Sequence, residues 1–207
     1  MNVLLINGSP HQYGCTHTAL QEVARQLEIE GVSCNELHIG SGPIHPCTAC
    51  GGCAKTGLCV FTEDLVNKAV ELTQKADGLI VGSPVHYAAP NGSLCAFMDR
   101  MFFIKNKKFA FKPAAAVVSC RRGGASAAFD RLNKYFMISS MPIVSSQYWN
   151  SVHGTTPSEV KQDLEGMQTL RTLARNMAWL IKSIAAARTT VPLPMQEKLT
   201  ATNFIQN

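Results

Sequence analysis

In the stretch NVLLINGSPHQYGCTHT (residues 2–18), a continuous apolar run from Val3 to Ile6 ends at Asn7-Gly8. A short apolar run that is bounded by turn residues is typical of a strand buried on both faces. The stretch therefore predicts a strand at the centre of a sheet, followed by a tight turn.

The turn after this strand has the composition of an anion-binding loop. The hydroxyl groups of Ser9, Thr16 and Thr18 lie near the start of the next predicted helix, and backbone N–H groups at a helix N-terminus attract anions. No GK[ST] sequence follows, and GxGxxG is absent because only Gly8 and Gly14 are present. We therefore expect a monophosphate rather than a nucleoside triphosphate, with a capped turn that binds no ligand as the alternative.

Apolar periodicity predicts alternating strands and helices along the rest of the chain. The predicted strands cover residues 3–6, 32–39, 78–82, 114–119 and 142–144. The predicted helices cover residues 17–30, 63–75, 94–103, 125–138 and 158–187. This alternation indicates parallel βαβ units, and hence an α/β fold. We expect a flavodoxin-like three-layer sandwich with a five-stranded parallel sheet of order 2-1-3-4-5, which places a ligand at the carboxyl ends of the first and third strands.

Size and composition favour one globular domain over residues 1–188, with a cysteine-rich loop at residues 46–60. The chain has 207 residues, of which 46% are hydrophobic. No apolar run reaches the roughly 20 residues that span a bilayer, and the N-terminus lacks the pattern of a secretory signal. We therefore expect a cytoplasmic protein without a membrane partner. The net charge of +5 is mild, and the basic run at residues 104–112 is too short to predict nucleic-acid binding.

The last stretch, residues 189–207, lacks a helical pattern but carries apolar side chains. These are Val191, Leu193, Met195, Leu199, Phe204 and Ile205. An unattached tail would leave them in water, so we expect the tail to pack on a partner subunit.

Two further loops follow the third and fourth predicted strands. Pro84-Val85-His86-Tyr87 gives a rigid backbone path with two rings where a flat heterocycle would lie. The other loop, residues 119–124, has the sequence SCRRGG. Its glycines allow close backbone contact with a ligand. The positive charge of Arg121 or Arg122 would neutralise a reduced, negatively charged ring or bind a cofactor phosphate. The alternatives are that His86 is a surface histidine without a ligand and that Arg121 and Arg122 are solvated side chains of a loop.

Three motifs together resemble the flavodoxin-like NAD(P)H-dependent FMN reductases, including their iron–sulfur flavoprotein branch. They are GSP followed by GxT in the first loop, SPVxYxxPxGxLxxFxDR at residues 83–100, and RRGGA at residues 121–125. The resemblance extends from Met1 to about Gly154. The Asp99-Arg100 pair that ends the second motif is interpreted as an ion pair or a capping group.

The resemblance implies where FMN would lie. The first loop would hold the phosphate through Ser9, His11 and Thr16, with Cys15 and Thr18 beside them. The isoalloxazine ring would be held by residues of the other two loops, namely Pro84, Val85, His86, Tyr87, Asn91, Ser119, Gly123 and Gly124. Arg121 is added to this set because of its charge, not because of the resemblance. Three positions depart from the family pattern, which often has Arg at His11, Asn at Cys15 and Tyr at His86.

Four of the eight cysteines lie close together, at Cys47, Cys50, Cys53 and Cys59. Iron–sulfur flavoproteins carry a similar CxxCxxC with a fourth cysteine several residues later, which implies a [4Fe–4S] cluster. The triple run also differs from structural zinc sites, which use two well-separated CxxC pairs. Free thiols and zinc remain the alternatives. The other four cysteines are scattered, and a free cysteine packs as a small hydrophobe.

These features predict an FMN-dependent oxidoreductase. Electrons would pass from NAD(P)H through the flavin to a quinone, to a nitro or azo compound, or to the cluster. We expect no acid or base residue to carry the reaction, because hydride chemistry belongs to the flavin. The family resemblance implies a homodimer or homotetramer. The alternative is a non-enzymatic electron carrier like a flavodoxin, although such carriers are typically acidic and this chain is basic.

Overall fold

Strands and helices alternate in the computed structural model, which describes residues 1–104, 108–198, 200 and 202. The strands are β1 (Asn2–Asn7), β2 (Ser33–His38), β3 (Gly78–His86), β4 (Ala89–Pro90), β5 (Ala114–Cys120) and β6 (Ser151–His153). The helices are α1 (Cys15–Ile29), α2 (Cys53–Thr56), α3 (Val66–Lys75), α4 (Gly92–Phe103), α5 (Ala125–Ile138), α6 (Pro157–Gln162) and α7 (Leu164–Ala187).

Five of the strands form a parallel sheet in the order β2-β1-β3-β5-β6. Counted along the chain, these five strands have the predicted order 2-1-3-4-5, so the flavodoxin-like topology is confirmed. The short strand β4 was not predicted; it folds back antiparallel on the end of β3.

Two apolar cores enclose the sheet, one on each face. On one face, Leu5 and Ile80 pack with residues of α1 and α7, including Leu20 and Met177. On the other face, apolar residues of β1, β3 and β5 pack against α3, α4 and α5. Successive strand residues point to opposite faces, so a strand that is apolar throughout feeds both cores. The predicted three-layer sandwich is thereby confirmed.

The fifth strand of the sheet does not lie where the sequence predicted it. At residues 142–144 only an isolated bridge joins Ile143 to Ala114, and the chain then leaves the sheet. It returns at Asn150, whose carbonyl oxygen accepts a hydrogen bond of 3.0 Å from Val118 N, and continues as β6. The strand β6 contains a single apolar residue, Val152, so it gives no apolar run that a sequence pattern would detect.

The predicted helix over residues 158–187 is two helices, α6 and α7, which meet at Asp163. The Oδ1 atom of Asp163 accepts a hydrogen bond of 2.9 Å from Gly166 N and so caps α7. Its Oδ2 atom accepts another of 2.8 Å from His153 N in β6. The helix breaks here because the carboxylate satisfies backbone donors that belong to two different elements.

The helix predicted from Glu63 begins instead at Val66. Asp64 accepts a hydrogen bond from Val66 N and also pairs with the buried Arg100. These two bonds keep Asp64 outside the helix.

The described part of the tail carries exposed apolar side chains. Val191, Leu193 and Met195 are 62%, 67% and 92% exposed. Leu199, Phe204 and Ile205 lie outside the described residues, as do residues 105–107 of the basic run. Packing of this tail on a partner subunit stays a prediction. Among the helices that the structure describes, none is long and apolar enough to cross a bilayer.

The substitution Asp163→Ala is expected to lower the free energy of unfolding by about 1–2 kcal/mol, because α7 loses its cap. Urea denaturation measures this change. Gln162→Ala alters the exposed neighbouring residue and serves as the control. Equal stability of the two variants would contradict the capping role.

Candidate functional site

A groove lies at the edge of the sheet where β1, β3 and β5 end. Its volume is about 640 Å³, which falls within the usual range for small-molecule sites. The loop after β1, the ends of β3 and β5, and the segment that follows β6 line it. The three loops that the sequence singled out therefore meet at one place.

The loop after β1 is organised by Asn7, which is fully buried. Its side-chain amide donates to Gln12 O at 3.1 Å and to Glu36 Oε1 at 2.8 Å, and its Oδ1 atom accepts from Ser9 N at 3.1 Å. His38 Nε2 lies 2.7 Å from Ser9 O. Sequence reasoning missed Asn7, although a polar residue that ends an otherwise apolar strand was a usable signal.

The N-terminus of α1 faces this groove. Its N-cap residue is Gly14, which has no side chain to bond the N–H groups of the first turn. Cys15 and Thr16 in that turn line the groove. The Thr16 hydroxyl lies 2.9 Å from the Ser119 hydroxyl, which links the first loop to the end of β5. The Thr18 hydroxyl instead donates to Gly14 O at 3.1 Å, within the helix.

Two thiols, those of Cys15 and Cys120, also line the groove. Burial raises the pKa of each thiol above its ordinary value, because the low-dielectric surroundings disfavour the thiolate. The Cys15 thiol lies 3.8 Å from Gly154 O. These cysteines therefore enter the groove as neutral groups at pH 7.

The end of β3 forms a tight hairpin with β4. Val85 pairs with Pro90 and His86 with Ala89. The two turn residues between them, Tyr87 and Ala88, have φ angles of 52° and 59°. This left-handed conformation matches the right-handed twist of a hairpin but is unfavourable for residues other than glycine.

Asn91 joins this hairpin to the start of α4. Its side-chain amide lies 3.3 Å from His86 Nδ1, and its Oδ1 atom caps α4 through Leu94 N at 3.2 Å. Its backbone N–H donates to Ser83 Oγ at 3.0 Å. Asn91 therefore fixes the imidazole of His86 relative to the helix.

The loop after β5 packs directly on the same hairpin. Gly124 has a φ angle of 87°, and a Cβ atom added there would lie 2.8 Å from Ala88 Cα. Only glycine allows this approach without strain. The structure thus brings the third and fourth loops into backbone contact.

The predicted cofactor residues divide into two sets. Those that line the groove are Ser9, His11, Cys15, Thr16, Pro84, Val85, Ser119 and Arg121. The lining drawn from the described residues leaves out Thr18, His86, Tyr87, Asn91, Gly123 and Gly124. Of this second set, His86, Tyr87 and Gly123 are exposed on the surface beside the groove.

The four clustered cysteines form a second site. Cys47, Cys50, Cys53 and Cys59 all line one small cavity. Cys47 and Cys50 are exposed, whereas Cys53 and Cys59 are half-buried. In the part of the chain that the structure describes, no three His, Cys, Asp or Glu side chains lie close enough to hold a single metal ion.

Arg100 lies beside the same cavity and contacts Cys59 through a hydrogen bond of 3.1 Å from Nε to Sγ. It forms an ion pair with Asp64. Asp99 contacts Arg131 and Tyr135 on α5 instead, so Asp99 and Arg100 each form an ion pair, but with different partners. Adjacent residues on a helix point in different directions, and each therefore finds a distant partner.

Comparison with known proteins identifies the family. A family model described as NADPH-dependent FMN reductase matches residues 1–156. The chain belongs to this FMN reductase family. A curated relative from Methanocaldococcus jannaschii, named as an iron–sulfur flavoprotein, is 29% identical over 195 residues, which cover 89% of this chain and 99% of the relative.

Two solved structures show the same fold as this FMN reductase family member. One is RosB with bound 8-demethyl-8-formylriboflavin-5′-phosphate, which has a TM-score of 0.69 and 13% identity, with 100% of this chain and 94% of that chain covered. The other is a WrbA-like flavodoxin from Agrobacterium tumefaciens, with a TM-score of 0.61 and 16% identity, where 88% of this chain and 98% of that chain are covered.

The substitution Gly124→Ala is expected to destabilise the protein by about 1–3 kcal/mol, since the added methyl group meets the hairpin backbone at a positive φ angle. Gly123→Ala is the matched control, because a Cβ atom there meets nothing within 4 Å. Urea denaturation of both variants measures the difference. A Gly124→Ala variant as stable as Gly123→Ala would show that the two loops do not pack as described.

Proposed function

We propose that the protein is an FMN-dependent oxidoreductase that takes electrons from NAD(P)H and passes them to a second acceptor. Family membership supports the use of FMN. The observation that carries the proposal is the groove at the ends of β1, β3 and β5, where an uncapped helix N-terminus meets buried hydroxyl groups. FMN needs hydrogen-bond donors of this kind around its phosphate, and flat, apolar walls around its isoalloxazine ring.

The residues of the groove fit the phosphate of FMN. Ser9 and Thr16 would bind its oxygens together with backbone N–H groups of the first turn of α1. His11 is exposed at the groove, where Arg often stands in the family, and would add a donor. Asn7 keeps the loop in shape through its bonds to Ser9 and Gln12.

The residues around the hairpin fit the isoalloxazine ring. Pro84 and Val85 would contact it from β3, while His86 and Tyr87 would flank it at the exposed edge. Asn91 orients the His86 imidazole, and Gly123 and Gly124 bring the fourth loop close. Bound flavin supplies the hydride and electron chemistry, so the chain's residues bind and orient rather than act as acid or base.

NAD(P)H and the electron acceptor would approach the flavin from the open side of the groove. Arg121 is exposed there and offers a permanent positive charge to an anionic cosubstrate. A quinone or a nitro or azo compound, being flat, would stack on the exposed ring face.

We also propose that Cys47, Cys50, Cys53 and Cys59 hold a [4Fe–4S] cluster. A [4Fe–4S] cluster is held by four cysteine thiolates, and four cysteines line this cavity. The bound cluster would supply a second electron-accepting centre. A buried cation beside them, Arg100, suits the negative charge of cysteine-ligated iron. Relatives named as iron–sulfur flavoproteins support the assignment; zinc and free thiols are the competing outcomes.

Association into a homodimer or homotetramer belongs to this proposal. Several large apolar side chains are exposed outside the groove, among them Ile138, Trp149 and Trp179, which are 86%, 54% and 69% exposed. Exposed apolar surface of this kind is typical of sites where proteins associate.

The substitution Thr16→Val is expected to weaken FMN binding about tenfold or more, because a hydrogen bond to a charged phosphate is lost. Riboflavin lacks the phosphate, so its Kd should change by less than about twofold. Thr18→Val is the control, since that hydroxyl bonds Gly14 O within α1. Flavin fluorescence titration measures the Kd of each flavin for the wild-type protein and for both variants. Equal weakening of FMN and riboflavin would place the phosphate elsewhere.

Anaerobic mixing of the FMN-loaded protein with NADPH, and separately with NADH, is expected to bleach the visible flavin band directly. Stopped-flow absorbance measures the rate. Dithionite, which reduces flavin without a nicotinamide site, is the positive control. Reduction by dithionite but by neither nucleotide would contradict the enzyme and favour a non-enzymatic carrier.

A further inference from the structure

One charged side chain is buried beside the cysteine loop. Arg100 is 2% exposed and is among the largest fully buried side chains of the protein. It lies in α4, among apolar residues such as Met98 and Met101 that belong to the core. A guanidinium stays charged at every ordinary pH, and a buried charge needs partners that satisfy all its donors.

All five N–H donors of Arg100 have partners, and these partners come from the segment that holds the cysteines. Nε donates to Cys59 Sγ at 3.1 Å. Nη1 donates to Asp64 Oδ2 and to His45 O, the latter at 3.3 Å. Nη2 donates to Phe61 O at 2.9 Å and to Asp64 Oδ1 at 3.1 Å. One side chain thus bonds the segment before Cys47 and the segment after Cys59.

The guanidinium of Arg100 also contacts an aromatic ring of the same segment. The central carbon of Arg100 lies 5.2 Å from the centre of the Phe61 ring, within the range of a cation–π contact. The Phe61 ring stacks on His45 with 4.7 Å between centroids and 18° between planes. The two ends of the cysteine loop are therefore joined by a stack as well as by hydrogen bonds.

Cys59 is fixed at its backbone as well as at its sulfur. Asn67 accepts from Cys59 N at 2.7 Å and donates to Cys59 O at 3.0 Å. Cys47 and Cys50, by contrast, are exposed. Cys53 is half-buried and its sulfur lies 3.9 Å from Phe103 O, whereas Cys59 is held by the rest of the fold at both its backbone and its sulfur.

We propose that Arg100 is the positioning residue of the iron–sulfur site, holding Cys59 Sγ as its fixed ligand and setting the reduction potential through the N–H···S hydrogen bond. This inference rests on the proposed function, since it takes Cys59 to be a cluster ligand. Hydrogen bonds to ligand sulfurs raise cluster potentials because they stabilise the extra negative charge of the reduced state. Lysine in place of Arg100 keeps a positive charge but loses the planar set of five donors.

Arg100→Lys is the test variant. Asp64→Asn is the second variant, because it loosens Arg100 without altering a cysteine or the arginine. Arg131→Lys is the matched control. Arg131 also pairs with an aspartate, Asp99, but the Arg131 side chain is 47% exposed. Thermal unfolding and FMN content establish that each variant is folded.

The first measurement uses FMN-loaded protein without iron. Amide hydrogen exchange at Cys59, whose N–H bonds to Asn67, reports the order of the loop. We expect the Cys59 amide to exchange at least about tenfold faster in Arg100→Lys and Asp64→Asn than in the wild type, because these variants lose hydrogen bonds to a charged group. Arg131→Lys should exchange at the wild-type rate. Unchanged exchange in both test variants would overturn the positioning role.

The second measurement uses protein reconstituted anaerobically with equal amounts of ferrous and ferric iron and with sulfide. A redox titration followed by electron paramagnetic resonance gives the cluster potential, which a merely structural contact would not alter. We expect a lower potential, or loss of bound iron and sulfide, in the two test variants but not in the control. Full loading at the wild-type potential in both would overturn the proposal.

Wild-type protein that takes up neither iron nor sulfide would overturn the cluster, and with it this role. A different result would overturn only the role of Arg100. In that case the wild-type protein takes up iron and sulfide, and Arg100→Lys and Asp64→Asn load to the same extent and have the same potential as the wild type.

Discussion

The parallel alignment of β1, β3 and β5 is the constraint on which the groove depends. These strands are covered on both faces, so their interior residues are apolar and the polar groups appear only where the strands end. Asn7 and Ser119 lie at or next to the ends of β1 and β5, Ser83 lies three residues before the end of β3, and all three are buried. Each bonds the loop that follows its strand or a neighbouring loop. One edge of the sheet thereby gathers the donors that a phosphate needs beside the walls that a flat ring needs.

Helix α4 connects this groove to the cysteine loop. Asn91 caps its start and contacts His86 in the hairpin, while Arg100, nine residues later, bonds Cys59. At 1.5 Å per residue the two positions lie about 13 Å apart along the helix axis. A single rigid element therefore sets the position of both candidate redox sites. Breaking the ion pair between Arg100 and Asp64 would leave a buried charge without a partner, which is strongly destabilising.

The sequence predicted the features that local patterns encode. Apolar runs indicated the central strands, the topology followed from their alternation with helices, and the motifs placed the three loops at one edge. What escaped prediction depends on contacts between residues that are distant in sequence. Arg100 and Asp64 are separated by 36 positions, and the break at Asp163 exists because its carboxylate also bonds β6. The hairpin at Tyr87-Ala88 was missed because neither residue favours a positive φ angle.

The proposed function requires that the groove binds FMN and that the cysteine loop binds a cluster. The most direct test is the visible spectrum of anaerobically purified protein, together with its content of flavin, iron and sulfide. We predict about one FMN per chain, with about four iron and four sulfide whose broad absorption lies beneath the flavin bands. A colourless protein that takes up no FMN when it is supplied would contradict the account.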